Sequence, residues 1–501
     1  MEEVKVRPVT LDHIGQAIED HQLEALHQGA GKARELLKDR TVWNINSTAQ
    51  GGGVAEMLQP LLAYAQGLGV DVRWLVLEGE PDFFPVTKRI HNHLHGHPGD
   101  GGSLGDPEHA IYEATSNRNI PELTARIQPG DVVICHDPQT AGVIGALRRA
   151  GAVVIWRCHI GHDRPNELTR QAWAFLAPYL READHFVFSR REYIPDVIDA
   201  DRVDIIAPSI DPLSAKNQPL SPEAVHAILA RTGLLNGSHD PNKALFTRED
   251  GTIGRVERTA DIIRLGPLPT PDVKLVVQVS RWDHLKDPVR VMHGFVHHTR
   301  YERAALILAG PSVAAVADDP EGGQVLDEVS MAWRALPEQQ RQKVHIVCLP
   351  MNDREENAAI VNALQRRADV VVQKSLQEGF GLTVTEAMWK DRPLVASAVG
   401  GIQDQIVDGK EGLLLRDPTD MPAFGAALDR LLGDPDLART LGRNARARVA
   451  KDFLFSRHLL QYLTLLEKLL VPCETCKSGK KPIPSPTLTH RRARSQTVPR
   501  T

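Results

Sequence analysis

Short apolar runs alternate with longer amphipathic segments along most of this chain. Runs that predict buried strands lie at residues 42–46, 70–77, 131–135, 152–158, 185–188, 203–206, 274–280, 305–309, 344–349, 369–373, 393–399 and 413–415. Several segments between them have the spacing of amphipathic helices. Strands that alternate with helices predict parallel sheets, because each helix returns the chain to the edge where the strands begin. The pattern indicates an α/β protein with two such halves.

The junction between one of these strands and the next helix concentrates the residue types of a ligand site. A polar, glycine-containing loop at residues 374–381 follows the strand. Gly379 and Gly381 let the backbone come close to a ligand, and the first N–H groups of the helix can bind an anion. Glu378 and Glu386 flank the junction with seven residues between them. The junction predicts a phosphate cradle with two carboxylates for sugar hydroxyls.

A second set of candidates lies at strand ends in the first half. A glycine triplet at residues 51–53 stands between a strand and a helical pattern. This loop predicts phosphate binding or a simple tight turn, since it is not the G-x-G-x-x-G fingerprint. Asp137 and His159 follow two further strands. Ligands of doubly wound sheets bind beyond the carboxyl ends of the strands, so both are candidates, with a structural role as the alternative for His159.

Two cations lie five residues apart in a strand-to-helix loop of the second half. They are Arg281 and Lys286. Together they could clamp a diphosphate and stabilise a leaving phosphate. The alternative is an exposed loop with two solvated charges.

Two motifs carry side chains that bind metals elsewhere. Residues 91–97, HNHLHGH, hold four histidines at alternate positions, which would share one face of a strand. A polar segment that leads into a loop is the plainer interpretation, since no cysteine or carboxylate cluster accompanies it. Cys473 and Cys476 form a single C-x-x-C pair without the second pair of a zinc site. We expect no physiological metal at either motif.

The totals are those of a globular protein from a reducing compartment. Of the 501 residues 42% are hydrophobic and 25% are charged, and the net charge of −5 gives no electrostatic attraction to nucleic acid. No apolar stretch approaches the roughly 18 residues of a membrane span, and the N-terminus has no apolar signal region. We expect a cytoplasmic protein, without a nucleic-acid or membrane partner, in which Cys135, Cys158 and Cys348 are buried free thiols.

Several motifs, in chain order, resemble those of retaining, nucleotide-sugar-dependent glycosyltransferases with the GT-B fold. They are the glycine triplet at 51–53, Ser280–Arg281 with Lys286, Gly310–Pro311, and residues 378–386, EGFGLTVTE, which resemble the E-x₇-E motif of that class. Other segments resemble the trehalose glycosyltransferring synthases within it, namely 51–58 (GGGVAEML), 81–88 (PDFFPVTK), 135–139 (CHDPQ), 156–159 (WRCH), 209–213 (SIDPL) and 378–390 (EGFGLTVTEAMWK). The resemblance covers roughly residues 40–470; residues 214–262 and the basic tail are longer than the family leads us to expect.

The resemblance implies two Rossmann-like domains that face a central cleft. The expected division is an acceptor domain at 1–210, a connecting segment at 211–270, a nucleotide-sugar domain at 271–450, a helix at 451–471 that crosses back to the first domain, and a disordered basic tail at 472–501. Composition agrees for the tail, which is proline-containing and basic.

The resemblance also implies a reaction. A nucleoside diphosphate glucose would donate its glucosyl group to glucose and give α,α-trehalose with retention, in a reversible transfer without a metal or other cofactor. Arg281, Lys286, Glu378 and His159 would form the catalytic group, His159 by touching the donor sugar or approaching its reacting carbon. The substrates would be nucleoside diphosphate glucose and glucose or trehalose, and a homodimer is compatible with the family.

The binding residues follow from the same resemblance. Backbone N–H groups would hold the phosphates, and Glu386 would accept hydrogen bonds from the ribose hydroxyls. Asp137 is the candidate for acceptor binding. The donor-binding set is Gly52, Gly53, Gly381, Leu382, Thr383 and Glu386.

Three other functions stay open at the level of sequence. A trehalose phosphorylase would use phosphate in place of the nucleotide and form glucose 1-phosphate. The same fold could serve another acceptor, such as a sugar phosphate. A non-catalytic sugar-binding regulator is the third, although it would have no need of a full set of transition-state groups.

Overall fold

The chain folds into two α/β halves, each built on a seven-stranded sheet. The structure is a computed structural model that describes residues 1–10, 14–49, 53–237, 240–313 and 320–471. The predicted α/β class with two parallel sheets is confirmed.

The first half holds strands β1 to β7 in the spatial order β1-β3-β2-β4-β5-β6-β7. β1 pairs with β3 in antiparallel fashion and the other pairs are parallel. The strands are β1 (Glu2–Val4), β2 (Val42–Asn46), β3 (Val72–Val76), β4 (Val132–His136), β5 (Val153–Cys158), β6 (His185–Phe188) and β7 (Val203–Ile205). The helices are α1 (Asp20–Leu36), α2 (Gly53–Gly67), α3 (Phe83–Leu94), α4 (Asp106–Arg126), α5 (Ile144–Arg149) and α6 (Glu167–Leu180).

The second half repeats this plan in the order β10-β13-β12-β11-β14-β15-β16, with β10 antiparallel to β13. A separate antiparallel pair, β8 (Leu245–Thr247) and β9 (Ile253–Arg255), precedes it. The sheet strands are β10 (Asp261–Ile263), β11 (Lys274–Val279), β12 (Ala304–Pro311), β13 (Val344–Leu349), β14 (Val370–Gln373), β15 (Leu394–Ser397) and β16 (Leu413–Leu415). The helices are α7 (Pro222–Thr232), α8 (Pro288–His298), α9 (Pro320–Ala335), α10 (Glu338–Arg341), α11 (Arg354–Arg367), α12 (Leu382–Trp389), α13 (Ile402–Gln405), α14 (Met421–Gly433), α15 (Pro435–Asp452) and α16 (Phe455–Leu470).

Both sheets are covered on both faces, and the strand sequences explain why. β12 reads AALILAGP, and every residue in it except Pro311 is buried. A parallel strand between two helical layers needs apolar side chains at consecutive positions, not at alternate ones. Apolar clusters accordingly lie on both faces of each sheet.

The segment predicted as a connection, residues 211–270, also contributes to the second half. β10 adds an edge strand next to β13, and buried residues of α7 such as Ile228 and Leu229 join an apolar cluster on that sheet. A strand of three residues gives too short a periodic signal to separate it from a loop. The segment is therefore more than a linker.

The helix α16 packs against the first half, although it ends the described chain. Phe455, Tyr462, Leu465 and Leu466 join the apolar cluster that includes Val42 of β2. The crossing begins where the Ile210 N–H donates to the carbonyl oxygen of Phe453 at 2.9 Å.

The structure corrects one detail of the histidine run. His91 and His93 lie in helix α3, with His95 at its C-terminal cap, so the alternate histidines do not line a strand. Among the described residues, no group of three or more His, Cys, Asp or Glu side chains could hold a metal ion. Cys473, Cys476 and the rest of the tail at 472–501 lie outside the described residues.

Two smaller expectations can be compared with the structure. Cys135 and Cys158 are buried free thiols, and Cys348 is a half-buried one. Within the described ranges, no helix has the length and apolar character needed to span a membrane.

Candidate active site

The glutamate loop, residues 374–381, links β14 to α12 and lies at the carboxyl edge of the second sheet. Gly381 precedes α12 with φ of +86°, a left-handed conformation that glycine adopts without strain. The helix then begins at Leu382. The first N–H groups of a helix have no partner inside it, so those of Leu382 and Thr383 are available to an anion.

Glu378 and Lys286, which the sequence places 92 positions apart, form a direct ion pair. Lys286 Nζ donates to Glu378 Oε2 at 2.6 Å. Ser375 Oγ and Gln373 Nε2 donate to the same oxygen at 3.2 and 3.4 Å. The Lys286 and Glu378 side chains are only 15% and 11% exposed. The predicted cation and the predicted carboxylate therefore belong to one site.

Lys374 and Asp287 tie the loop of Lys286 to the glutamate loop. Lys374 is fully buried, and its ammonium donates to Asp287 Oδ2 and to the carbonyl oxygen of Pro418. Asp287 takes a left-handed φ of +52° at the start of α8. Sequence reasoning missed this pair, since an isolated lysine beside a strand gives no signal of a buried partner 87 positions away.

Arg281 reaches the same loop from a more exposed position. Its side chain is 52% exposed, and Nη2 lies 3.3 Å from Asp283 Oδ2. Burial alone would raise the pKa of Asp283, but Lys286 and Arg281 hold it below its usual range. One carboxylate therefore lies between the two cations predicted to clamp a diphosphate.

Glu386 lies buried on α12, next to a lysine that sequence reasoning missed. Lys216 Nζ lies 3.5 Å from Glu386 Oε1 and 2.9 Å from Glu56 Oε2. Burial raises the pKa of Glu386, and Lys216 opposes that shift. Because Glu56 is on α2 and Glu386 is on α12, Lys216 links a helix of the first half to a helix of the second.

Gly53, the last residue of the glycine triplet, comes close to α12. A Cβ placed on Gly53 would lie 3.4 Å from Leu382 Cδ1. The N-termini of α2 and α12, one from each half, therefore meet. Gly52 lies outside the described residues.

Residues of the first half hold the glutamate loop in place. The Tyr193 hydroxyl donates to the carbonyl oxygens of Glu378 and Gly379 at 3.0 and 2.6 Å. Asp163 Oδ2 accepts the N–H of Gly400 at 2.8 Å. Gly400 has a φ of +52°, and a Cβ on it would collide with the Glu378 carbonyl oxygen. The loop position therefore depends on both halves.

The side chain of Asp137 is joined to the main chain of His159 by a hydrogen bond. The His159 N–H donates to Asp137 Oδ1 at 2.8 Å, and Asp137 has a left-handed φ of 61°. Burial raises the pKa of Asp137 to about 7. Backbone strain of this kind is often kept at functional sites, which fits a ligand role for Asp137.

The imidazole of His159 is engaged inside the first half. Its Nε2 lies 3.1 Å from His136 Nδ1 and accepts from Arg157 Nε at 3.1 Å. The carbonyl oxygen of His159 is the atom that lies toward the glutamate loop, 3.2 Å from where a Cβ on Gly379 would be. The main chain of His159 thus lies against the glutamate loop, and the predicted contact of its ring with the donor sugar stays a prediction.

Arg157 extends this buried network to the C-terminal helix. It donates to His458 Nε2 at 3.1 Å and to the Tyr462 hydroxyl, both on α16. Another guanidinium nitrogen donates to the carbonyl oxygen of Ile206 at 3.1 Å. The end of β5 is thereby held by residues about 300 positions later.

Two family models match this chain. "Trehalose synthase, N-terminal domain" matches residues 44–195, and "Glycosyl transferases group 1" matches residues 266–448. The boundary between them falls where the chain passes from the first sheet to the second.

Curated relatives match nearly end to end. A trehalose synthase of Rubrobacter xylanophilus is 36% identical over 461 residues, covering 91% of this chain and 97% of the relative. A trehalose synthase of Thermococcus litoralis is 34% identical over 460 residues, covering 91% of this chain and 96% of the relative. A trehalose phosphorylase of Pleurotus sajor-caju is 26% identical, covering 89% of this chain and 61% of the relative.

Solved structures share the fold. An α,α-trehalose-phosphate synthase of Burkholderia xenovorans, in complex with glucose-6-phosphate, superposes with a TM-score of 0.62 at 14% identity. The match covers 85% of this chain and 100% of that one. The predicted GT-B architecture is confirmed.

Proposed function

Because this chain belongs to the trehalose synthase family of glycosyltransferases, we propose that it moves a glucosyl group from a nucleoside diphosphate glucose to free glucose. It is a trehalose-forming glycosyltransferase. The proposal covers the donor, the stereochemical course, the metal requirement and the role of each residue.

The observation that carries the proposal is the Lys286–Glu378 pair at the N-terminus of α12. Its 2.6 Å contact joins a cation suited to a diphosphate with a carboxylate suited to sugar hydroxyls. A nucleotide sugar carries a diphosphate next to a sugar, which matches these two side chains. Its diphosphate would bind Lys286 and Arg281, and its sugar would lie against Glu378.

Glu386 and the helix N-termini complete the donor site in this proposal. The carboxylate of Glu386 would accept hydrogen bonds from both ribose hydroxyls. The ammonium of Lys216 would keep that carboxylate ionised. Backbone N–H groups of Leu382, Thr383 and Gly53 would bind phosphate oxygens.

The transfer would need little covalent chemistry from the protein. The bond between the anomeric carbon and the phosphate oxygen breaks as the acceptor hydroxyl attacks from the same face, so the configuration is retained. The leaving phosphate takes the proton of that hydroxyl. Arg281 and Lys286 stabilise the charge on the phosphate, and the two halves hold the reactants together.

No metal ion is needed for this chemistry, since cationic side chains and helix N-termini would carry the diphosphate. The expectation is tested by exhaustive treatment with a chelator, which should leave the initial rate unchanged. A loss of activity that Mg²⁺ restores would contradict it.

Two alternatives differ in one substrate. A phosphorylase would use phosphate in place of the nucleotide; the stronger likeness to the synthases, 36% against 26%, favours the nucleotide. A sugar phosphate acceptor is suggested by the name and ligand of the Burkholderia enzyme, but the fold alone is shared with it.

A substrate matrix separates these functions. Each of several nucleoside diphosphate glucoses is mixed with glucose or glucose 6-phosphate, and trehalose or its phosphate is identified by chromatography and NMR. In the reverse direction trehalose is mixed with a nucleoside diphosphate or with phosphate. Nucleotide-sugar formation in the first mixture alone supports the proposal, and glucose 1-phosphate in the second refutes it. A regulator would turn over none of them.

The assembly and location of the protein stay predictions. Light scattering after gel filtration tests for the homodimer, and cell fractionation tests for the cytoplasm.

A further inference from the structure

His95 lies at the C-terminal end of α3, in the first half, and faces the glutamate loop of the second. Its side chain is buried, with 6% exposure. Its Cε1 atom lies 3.9 Å from where a Cβ on Gly379 would be. Because Cε1 is bonded to both ring nitrogens, the polar edge of the imidazole is turned toward the residue next to Glu378.

The ring has an unused polar atom. Nδ1 of His95 is buried and has no hydrogen-bond partner within the part of the chain that the structure describes. Buried polar atoms in folded proteins nearly always have a hydrogen-bond partner, so the unpaired Nδ1 of His95 needs an explanation. A ligand hydroxyl would supply the missing partner.

The chain around His95 is fixed before any ligand arrives. The His95 N–H donates to the carbonyl oxygen of His91 at 3.2 Å, and Asn166 Nδ2 donates to the carbonyl oxygen of Gly96 at 2.9 Å. A Cβ on Gly96, which has a φ of +74°, would also collide with the His162 ring. The backbone that carries the imidazole is therefore held in place, which lowers the entropy cost of binding a ligand there.

The surroundings of His95 are those of the reaction site. The charged and titratable groups that act on it include Glu378, Lys286, Asp283 and His162, together with His91, whose ring centroid is 4.8 Å away. Burial lowers the pKa of His95 to about 4, so the ring is neutral at neutral pH. A neutral imidazole has one donor and one acceptor nitrogen, which suits a sugar hydroxyl that can both accept and donate.

We propose that His95 binds a hydroxyl group of the acceptor glucose and helps to select it. The inference rests on the proposed function. His95 belongs to the half that carries the predicted acceptor residue Asp137, while the donor groups Glu378, Lys286 and Glu386 come from the other half. An acceptor held between the two halves would lie against both His95 and Glu378.

The test compares His95→Phe with His93→Phe on the same helix. His93 is also buried with an unpartnered Nδ1, but it lies beside Arg89 and Asp100, away from the glutamate loop. We expect His95→Phe to raise the KM for glucose about 10- to 100-fold, the effect of one lost buried hydrogen bond. The donor KM should stay as in the wild type, and His93→Phe should leave both constants unchanged.

A second variant guards against a folding artefact. His95→Asn keeps a polar atom near the position of Nδ1 and should restore most of the glucose affinity. Thermal melting of each variant reports its stability. An unchanged glucose KM in His95→Phe, or an equal rise in His93→Phe, overturns the proposal.

Deoxyglucoses identify the hydroxyl concerned. One of the 2-, 3-, 4- and 6-deoxy analogues should be a poor acceptor for the wild type and lose that penalty in His95→Phe. Unchanged penalties for all of them would refute the contact. If the proposed function fails, the wild type will show no transfer from nucleotide sugar to glucose, an outcome distinct from a failure at His95.

Discussion

The ammonium of Lys216 lies 3.5 Å from one carboxylate oxygen of Glu386 and 2.9 Å from an oxygen of Glu56. One half-buried cation therefore serves two carboxylates, one from each half of the molecule: Glu386, which is buried, and Glu56, which is 39% exposed. Removing a single member of such a group leaves an uncompensated charge. The carboxylate proposed to bind the ribose thus depends on a residue in the segment between the sheets.

Lys216→Met should weaken donor binding. Without the cation the pKa of Glu386 rises further, and a protonated carboxyl is a weaker acceptor for the two ribose hydroxyls than a carboxylate. We expect the donor KM to rise about 10- to 100-fold at neutral pH and to fall again as the pH is raised, because Glu386 ionises. Initial rates across a pH series measure this.

Lys216→Arg is the matched control, since it keeps the charge and should recover most of the affinity. Glu386→Ala should raise the donor KM without the pH dependence. A donor KM that does not change in Lys216→Met would contradict the role.

Arg281→Ala and Lys286→Ala should each lower kcat by at least about 100-fold, since each removes charge stabilisation of the leaving phosphate. Steady-state rates at saturating substrates measure the loss. Arg290→Ala is the control, because Arg290 is an exposed arginine in the helix that follows the same loop. A normal kcat for Arg281→Ala would remove it from the diphosphate clamp.

Gly400→Ala should displace the glutamate loop, because a Cβ there collides with the Glu378 carbonyl oxygen. A shift of about 1 Å in a catalytic group can cost roughly 100-fold in rate, and we expect kcat/KM to fall by that order. Gly409→Ala is the control, since Gly409 also has a positive φ of +75° but nothing lies within 4 Å of its Cβ position. Equal losses of activity in both variants would show that backbone strain alone is responsible.

Asp137→Asn should change how stability depends on pH. The pKa of Asp137 is about 7 in the folded protein, above its unfolded value. A raised pKa contributes stability that is full below the unfolded pKa of about 4 and is lost as the pH rises toward 7. The asparagine keeps the acceptor for the His159 N–H but cannot ionise.

Melting temperatures from pH 4 to 8 test this. The wild type should lose stability relative to Asp137→Asn as the pH rises, with the difference constant above pH 7. Parallel curves for the two proteins would mean that the pKa of Asp137 is the same in the folded and the unfolded protein.

The fold could be predicted from sequence because its strands are continuous apolar runs. β12 and β14 have no competing interpretation, and the loop that carries Glu378 follows β14 directly. The resemblance to the glycosyltransferase family assigns Glu378 and Lys286 to one site; in the structure both follow neighbouring parallel strands, β14 and β11.

The rest depends on contacts between distant positions. Lys216 and Glu386 are 170 positions apart, and the sequence around either residue contains no pattern that predicts the contact. The position of His95 could not be predicted for another reason. Histidines at alternate positions fit one face of a strand, but the segment is a helix, in which residues four apart, such as His91 and His95, lie together. Only tertiary structure turns one of them toward Glu378.

The buried guanidinium of Arg157 has a consequence for biosynthesis. Its partners His458 and Tyr462 are made some 300 residues later. The half that leaves the ribosome first therefore lacks these two partners, and part of its apolar core, until α16 is made. An isolated first half would retain a solvent-exposed apolar surface where α16 docks, and during synthesis that surface must wait uncovered while the second half folds. The first half is therefore synthesised first, but its apolar core is completed last, when α16 docks on it.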